Sequence, residues 1–98
     1  MWQARWQGVL LAESDACVEL EGNIYFPAAA IHAEYFINSP TTTACPWKGT
    51  AHYYHLVVNG QTHPDAAWYY PAPKAAADRI KDHVAFWKDV EVALTLEA

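Results

Sequence analysis

The sequence predicts one mainly β domain built from two small curved antiparallel sheets, with one α-helix near residues 74–83. Three observations carry that prediction. Val, Thr and Tyr recur along several short runs, as strands with a half-buried face require. Turn residues punctuate those runs, above all Gly22-Asn23 and Asn59-Gly60. One segment, after Pro71 and Pro73, places apolar residues at the i, i+4, i+7, i+8 spacing of a helix face. The 98 residues suffice for a single domain, residues 1–98. A composition 53% hydrophobic and 17% charged excludes a disordered chain.

Residues 9–26 read as two strands joined by a turn. Val18 and Leu20 alternate with Cys17 and Glu19, and Ile24, Tyr25 and Phe26 follow a Glu21-Gly22-Asn23 loop whose Gly and Asn suit the positive-φ positions of a hairpin. Pro27 ends the second strand, and residues 28–31 are expected to form one short helical turn before Glu34-Tyr35-Phe36-Ile37. Asn38-Ser39-Pro40 and the threonines at 41–43 predict an ordered but irregular loop leading to Cys45-Pro46-Trp47-Lys48-Gly49, because two prolines within seven residues oppose a helix.

Residues 50–58 are the clearest strand, with Asn59-Gly60 supplying a type I′ hairpin and a partner strand running to about Tyr70. Val58 then faces Gln61, and the register places Tyr54 opposite Asp65, Tyr53 opposite Ala66 and His52 opposite Ala67. One face carries Thr50, His52, Tyr54, Asp65, Ala67 and Tyr69; the other carries Ala51, Tyr53, His55, Val57, Ala66, Trp68 and Tyr70. Both faces are bulky, so both need cover, from closure into a barrel or from a packed helix. Pro64 cannot donate to the ladder and is the expected site of a bulge that moves later residues to the opposite face. Pro73 then stands near the first turn of the helix at residues 74–83, with Ala76, Ile80, His83 and Val84 on its apolar face and Lys74, Asp78, Lys81 and Asp82 off it. A last strand over residues 84–96 sets Val90, Val92, Leu94 and Leu96 against Asp89, Glu91, Ala93 and Thr95.

Six Lys and Arg against eleven Asp and Glu leave a net charge of −5, which repels a phosphate backbone, so no nucleic-acid partner is expected. No apolar stretch nears the ~20 residues of a membrane span, and the N-terminal Met-Trp-Gln-Ala-Arg-Trp-Gln has neither an apolar run nor a cleavage site. A soluble cytoplasmic protein without a membrane partner is therefore expected. Cys17 and Cys45 are fewer than the framework of a small secreted domain and are read as reduced thiols.

Five Trp and six Tyr against three Phe mean that most large rings carry an N–H or O–H needing a partner when buried, which suits a ring-lined site or an interface. Trp47, Tyr53, Trp68 and Tyr70 are candidates to wall a pocket for a flat ring, with Lys48 near an anionic group; core packing accounts for the same rings equally well. Lys48 is alternatively a nucleophilic amine if desolvated, or a solvated lysine at a strand start. Gly49 permits a close approach or an unusual φ. Cys45, beside a cation, is a candidate nucleophile with His83 as its base if the fold brings them together; its ordinary role is a small buried thiol. Asp65 is the carboxylate best placed for a functional partner, against the ordinary role of a turn-stabilising Asp after Pro64. If the chain catalyses a reaction, Cys45, Lys48 and Asp65 are the residues expected to carry it.

A metal site is not expected. His52 and His55 are three apart on a strand, which sends them to opposite faces, and no Cys-x-x-Cys occurs. Asp89 and Glu91 share a strand face suited in principle to Mg²⁺, but a solvated edge accounts for them. His83 lies on the apolar stripe of its helix, as a satisfied core histidine or as an acid or base.

The run Thr43-Ala44-Cys45-Pro46-Trp47-Lys48-Gly49-Thr50-Ala51-His52-Tyr53, with Asp65-Ala66-Ala67-Trp68-Tyr69-Tyr70-Pro71 and Val84-Ala85-Phe86-Trp87 after it, resembles the bacterial domain-of-unknown-function family 427 over nearly the whole chain. Cys-Pro-Trp-Lys-Gly is the specific part of that resemblance. The resemblance implies a small, mostly β, single-domain protein with a tent-like arrangement of sheets. It places a site at Cys45, Trp47, Lys48, Tyr53, Trp68 and Tyr70 and implies no mechanism. The nucleotidyltransferase-like label attached to such proteins fails a chemical check: polymerase-type enzymes need closely spaced carboxylates after a Gly-Ser turn to hold two metals, and the chain has no Gly-Ser. Nor does Lys48 stand in the Lys-x-Asp-Gly setting of lysine-nucleotidylating ligases. The leading expectation is a small-molecule ligand, partly aromatic or anionic, in a Trp- and Tyr-lined cleft near Lys48. The alternatives are a protein-interaction or homo-oligomeric module using the same rings, and a Cys45-dependent enzyme. No cofactor is named by the sequence.

Overall fold

Three two-residue turns set the strand order. In the computed structural model, which describes residues 1–96, Gln7 and Gly8 join β1 (Trp2–Trp6) to β2 (Val9–Ser14). Glu21 and Gly22 join β3 (Val18–Leu20) to β4 (Asn23–Pro27), and Asn59 and Gly60 join β6 (Gly49–Val58) to β7 (Gln61–Tyr69). All six turn residues have positive φ, between 50° and 79°. That is the type I′ geometry whose twist matches a hairpin. The two later hairpins agree with the sequence; β1 is a strand where the sequence predicts none.

Among the described residues, β1, β2 and β9 (Glu91–Leu94) form a three-stranded sheet in the order β2-β1-β9. A six-stranded sheet, β3-β4-β8-β7-β6-β5, adds β5 (Phe36–Cys45) and β8 (His83–Phe86). Among the described residues, every strand pairing within the two sheets is antiparallel. β3 and β5 are left as edges, so the larger sheet does not close into a barrel. The smaller sheet covers one of its faces instead: Ala4, Leu11 and Ala12 share a buried cluster with Phe26, Leu56, Val58, Val84 and Phe86. The second cluster joins Tyr25, Ala51, Tyr70 and Ala85 of the larger sheet to Ala77 and Ile80. Full burial of Ile80, at 0% exposure, is worth about 2 kcal/mol.

Several local expectations change. Residues 38–45 are not an irregular loop but most of β5, because prolines that oppose a helix are tolerated on an edge strand: Pro40 falls in a bulge between Asn38 and Thr42. The expected short turn after Pro27 is present at Ala28–Ala30. The helix expected over residues 74–83 is a 3-10 segment, Ala75–Ile80, interrupted at Ala77 (φ −117°, ψ 19°). Six residues are too few to sustain an α-helix on propensity. His83 therefore opens β8 rather than completing a helix face, with its Nδ1 2.8 Å from the Lys81 carbonyl. The single strand expected over residues 84–96 is two, β8 and β9, in different sheets; Lys88 and Asp89, both at positive φ, turn the chain between them.

The β6–β7 register follows expectation through Val58–Gln61, Val57–Thr62 and Leu56–His63, then slips: Tyr54 pairs with Ala67, Tyr53 with Trp68 and His52 with Tyr69. β7 carries two extra residues around Pro64 and Asp65, and Asp65 sits at φ 52°. A shift of two preserves the alternation of faces. The expected transfer to the opposite face does not occur, and Tyr53, Trp68 and Tyr70 stay together while their partners change.

This bulge is held from four directions. Ser39 Oγ (2.5 Å) and Thr41 Oγ1 (2.9 Å) on β5 donate to the Asp65 carboxylate. The Asp65 N–H donates to His55 Nδ1 (3.0 Å), the Trp87 indole N–H donates to the Asp65 carbonyl (2.5 Å), and Lys88 Nζ donates to the Pro64 carbonyl (3.2 Å). The Ser39 hydrogen bond, helped by Thr41 and the nearby His55 and Lys88, outweighs burial and holds the Asp65 carboxyl below the ordinary carboxylate range.

Replacing Asp65→Asn should therefore destabilise the fold by about 1–3 kcal/mol at neutral pH in urea titration. The native pKa is depressed, so the stabilisation is present above the unfolded value of about 3.9 and is lost as pH falls through the native pKa. The gap between wild type and variant should accordingly narrow on acidification; a gap independent of pH would contradict the charged contact.

Candidate functional site

Alternation along β6 and β7 places Tyr53 and Trp68 as direct cross-strand neighbours on the face that carries Tyr70, and the partner of Trp68 on β8 is the small, buried Ala85. Without bulk at Ala85, the indole reaches Tyr25 of β4, donating to its hydroxyl (3.2 Å) and meeting its ring edge to face. Two residues beyond Ala85, Trp87 stands perpendicular to Trp68, with centroids 6.1 Å apart. The bulge carbonyl that accepts its N–H fixes Trp87 there, although the side chain remains 47% exposed. Tyr53 extends to the edge strand, where its hydroxyl and Thr43 Oγ1 lie 2.9 Å apart.

Lys48 closes the opposite side from the turn between β5 and β6. That turn is strapped to residues 72–74: the Lys74 N–H donates to the Lys48 carbonyl (2.9 Å) and Lys74 Nζ to the Pro46 carbonyl (2.6 Å). Gly49 makes the approach possible, because at φ 115° a Cβ would stand 3.2 Å from the Ala72 carbonyl oxygen. The Lys48 side chain is only 12% exposed and forms an ion pair with Glu21 at the tip of the β3–β4 hairpin. Its Nζ lies 5.7 Å from the Tyr70 ring centre and 5.5 Å from that of Trp47. Burial pulls the ammonium pKa down, but the Glu21 hydrogen bond and the phenols of Tyr25 and Tyr70 outweigh it and hold it above the ordinary lysine range. These partners favour the charged form, which acts as a fixed positive charge.

Lys48, Tyr53, Trp68, Tyr70 and Trp87 together line a cavity of about 180 Å³. Four of these are among the residues that the sequence singled out. Trp47 is not in the lining; it is exposed and flanks the Lys48 ammonium. Asp65 is not in the lining either, and reaches the cavity through its carbonyl hold on Trp87. Trp87 is the wall that the sequence did not single out. Its signal was parity with Ala85, obscured because residues 84–96 read as one continuous strand.

Cys45 ends β5 opposite Gly49, half-buried beside the Tyr25 and Tyr70 cluster. Backbone N–H groups of Lys48 and then Trp47 favour its thiolate and lower its pKa. Cys17 is the opposite case, pushed up to about 11 by burial. His83, the base considered for Cys45, pairs with Pro27 and contacts Lys81 instead. His52 packs against the Tyr69 ring while His55 accepts from Asp65, and among the described residues no three His, Cys, Asp or Glu side chains gather as a metal site.

Two other hollows lack this combination of rings and cation. A gap of about 360 Å³, lined by Trp2, Ile24, Phe86, Val90 and Val92 among others, has Glu19 as its charged lining residue. A third, of about 230 Å³, lies against Tyr54, Tyr69 and Asp82.

The contrast between the thiols is measurable. Iodoacetamide at pH 8 should label Cys45 well before Cys17 in peptide mass mapping, with half-maximal labelling of Cys45 below the free-cysteine value of about 8.5; faster labelling of Cys17 would contradict the two environments.

No curated protein matches the chain. A family model does: the one described as a domain of unknown function, DUF427, matches residues 1–97. With nearly its whole length so matched, the chain belongs to the DUF427 family.

Proposed function

We propose that this protein binds a small flat ligand, partly aromatic or anionic, in the cleft between Lys48, Tyr53, Trp68, Tyr70 and Trp87. The observation that carries this reading is a single lysine, its side chain 12% exposed, set among four rings around an open hollow. Aromatic walls take a planar ligand by stacking or edge-to-face contact, worth about 0.5–1.5 kcal/mol per ring beyond burial. A largely covered ammonium supplies a directional charge-assisted bond. The volume of about 180 Å³ is below the ~300–1,000 Å³ that encloses a drug-sized molecule. One ring with short substituents suits it better than a whole nucleotide. The Cys45 thiol lies outside the lining, so binding requires no chemistry from it.

A self-associating module is the second reading, favoured by the exposure of Trp47 and Trp87 on this side of the sheet. Sedimentation separates the two, since a protein that stays monomeric at high concentration leaves these rings available to a ligand.

Tryptophan fluorescence should change saturably on titration with one-ring aromatic compounds, because two of the wall residues are indoles. Trp87→Ala should weaken binding about three- to tenfold, alongside a stability loss of about 1 kcal/mol from its lost hydrogen bond to the Asp65 carbonyl. A flat titration with every ring compound would overturn the binding reading.

A further inference from the structure

The cleft's cation is already partnered, and the partner is a carboxylate. Glu21 occupies the first turn position of the β3–β4 hairpin, and its φ of 54° places it at the tip. From there its side chain, 47% exposed, reaches across 27 residues of sequence to Lys48 Nζ, whose own side chain is 12% exposed. Lys48 is the one charged residue in the cavity lining. Its ammonium carries three hydrogens, of which Glu21 takes one. A carboxylate outside the lining is thus held by the lysine that lines a ring-walled hollow.

Resting on the cleft as a ligand site, we propose that its ligand is a one-ring aromatic carboxylate, and that Glu21 holds the carboxylate position in the free protein and is displaced when the ligand enters. Exchange of one carboxylate for another leaves the charge at Lys48 balanced, whereas a ligand carboxylate added beside a retained Glu21 would set two like charges on one ammonium. Glu21 is the more exposed partner, its side chain 47% exposed, so on release its carboxylate returns to water. The incoming carboxylate meets Lys48 from the drier side, between rings, where the same hydrogen bond is stronger.

The charge balance also selects against a phosphate. One ammonium neutralises one negative charge, and the remaining charge of a dianion would lie against ring faces that are themselves electron-rich, in a protein of net charge −5. The ring of the ligand lies among Tyr53, Trp68 and Trp87. The Tyr53 hydroxyl, with Thr43 Oγ1 2.9 Å away, offers a partner to a neutral polar substituent.

Benzoate, benzamide and phenyl phosphate are the probes, titrated against indole fluorescence in wild type, Glu21→Gln and Lys48→Met. Wild type should bind benzoate about tenfold more tightly than benzamide. Glu21→Gln should tighten benzoate about threefold and leave benzamide unchanged. Lys48→Met should erase the preference, and Lys48→Arg should restore it. Should Lys48→Met fail to fold, the exposed Glu21→Gln decides alone. Equal affinity for benzoate and benzamide, weaker benzoate binding by Glu21→Gln, or tighter binding of phenyl phosphate than of benzoate would each overturn the carboxylate assignment while leaving the cleft as a ring site. Failure of all three probes to bind would overturn the cleft reading itself.

Discussion

Asp65 is the point on which the larger sheet and its cleft depend. Its carboxylate holds the edge strand β5 through Ser39 and Thr41, its N–H meets His55 on β6, and its carbonyl fixes Trp87 after β8. One residue at positive φ thereby links three neighbouring strands. The strain of that φ, of order 1 kcal/mol for a non-glycine residue, is offset by hydrogen bonds that only a looped-out residue can make. Asp65 was a candidate for chemistry on sequence grounds. Its carboxylate contacts Ser39 and Thr41, and its carbonyl holds the indole of Trp87 that lines the cleft.

The cleft exists because the cover on that face is short. The three-stranded sheet spans the opposite face and seals Leu56, Val58 and Phe86. On the cleft side, six residues of 3-10 chain with Ala77 and Ile80 cover Tyr25, Ala51 and Tyr70, while Tyr53 and Trp68 remain half-buried at the margin. Small residues at Ala51 and Ala85 leave room for the large rings beside them. The strap from Lys74 to the Lys48 carbonyl then sets the cation against the rings.

The parts of this architecture legible in the sequence are those with local causes. The Asn59-Gly60 hairpin, the hairpin around Gly22 and the grouping of Tyr53, Trp68 and Tyr70 on one face all follow from turn chemistry and strand alternation. The grouping stayed correct although the register beyond Pro64 did not, because a two-residue bulge preserves parity. The missed features have non-local or silent causes. Positive φ at Lys88 and Asp89 has no glycine to announce it, so the break that frees Trp87 from a continuous strand was invisible. Ala76, Ile80 and Val84, with His83, stand at helical spacing after Pro73 and suggest an α-helix, but the chain there runs only six residues as 3-10 before turning into β8. Glu21, an ordinary turn residue in sequence, becomes part of the site only when the hairpin tip is brought to Lys48.

The proposed ligand site is the ring-walled hollow beside Lys48 and no other part of the surface. Intermolecular nuclear Overhauser contacts from the ring protons of a bound aromatic carboxylate locate it most directly. Contacts to the indole protons of Trp68 and Trp87 and to the Tyr53 ring are expected for that site. Contacts to Trp2, Ile24 and Phe86, which line the larger gap on the other side of the sheet, would contradict it.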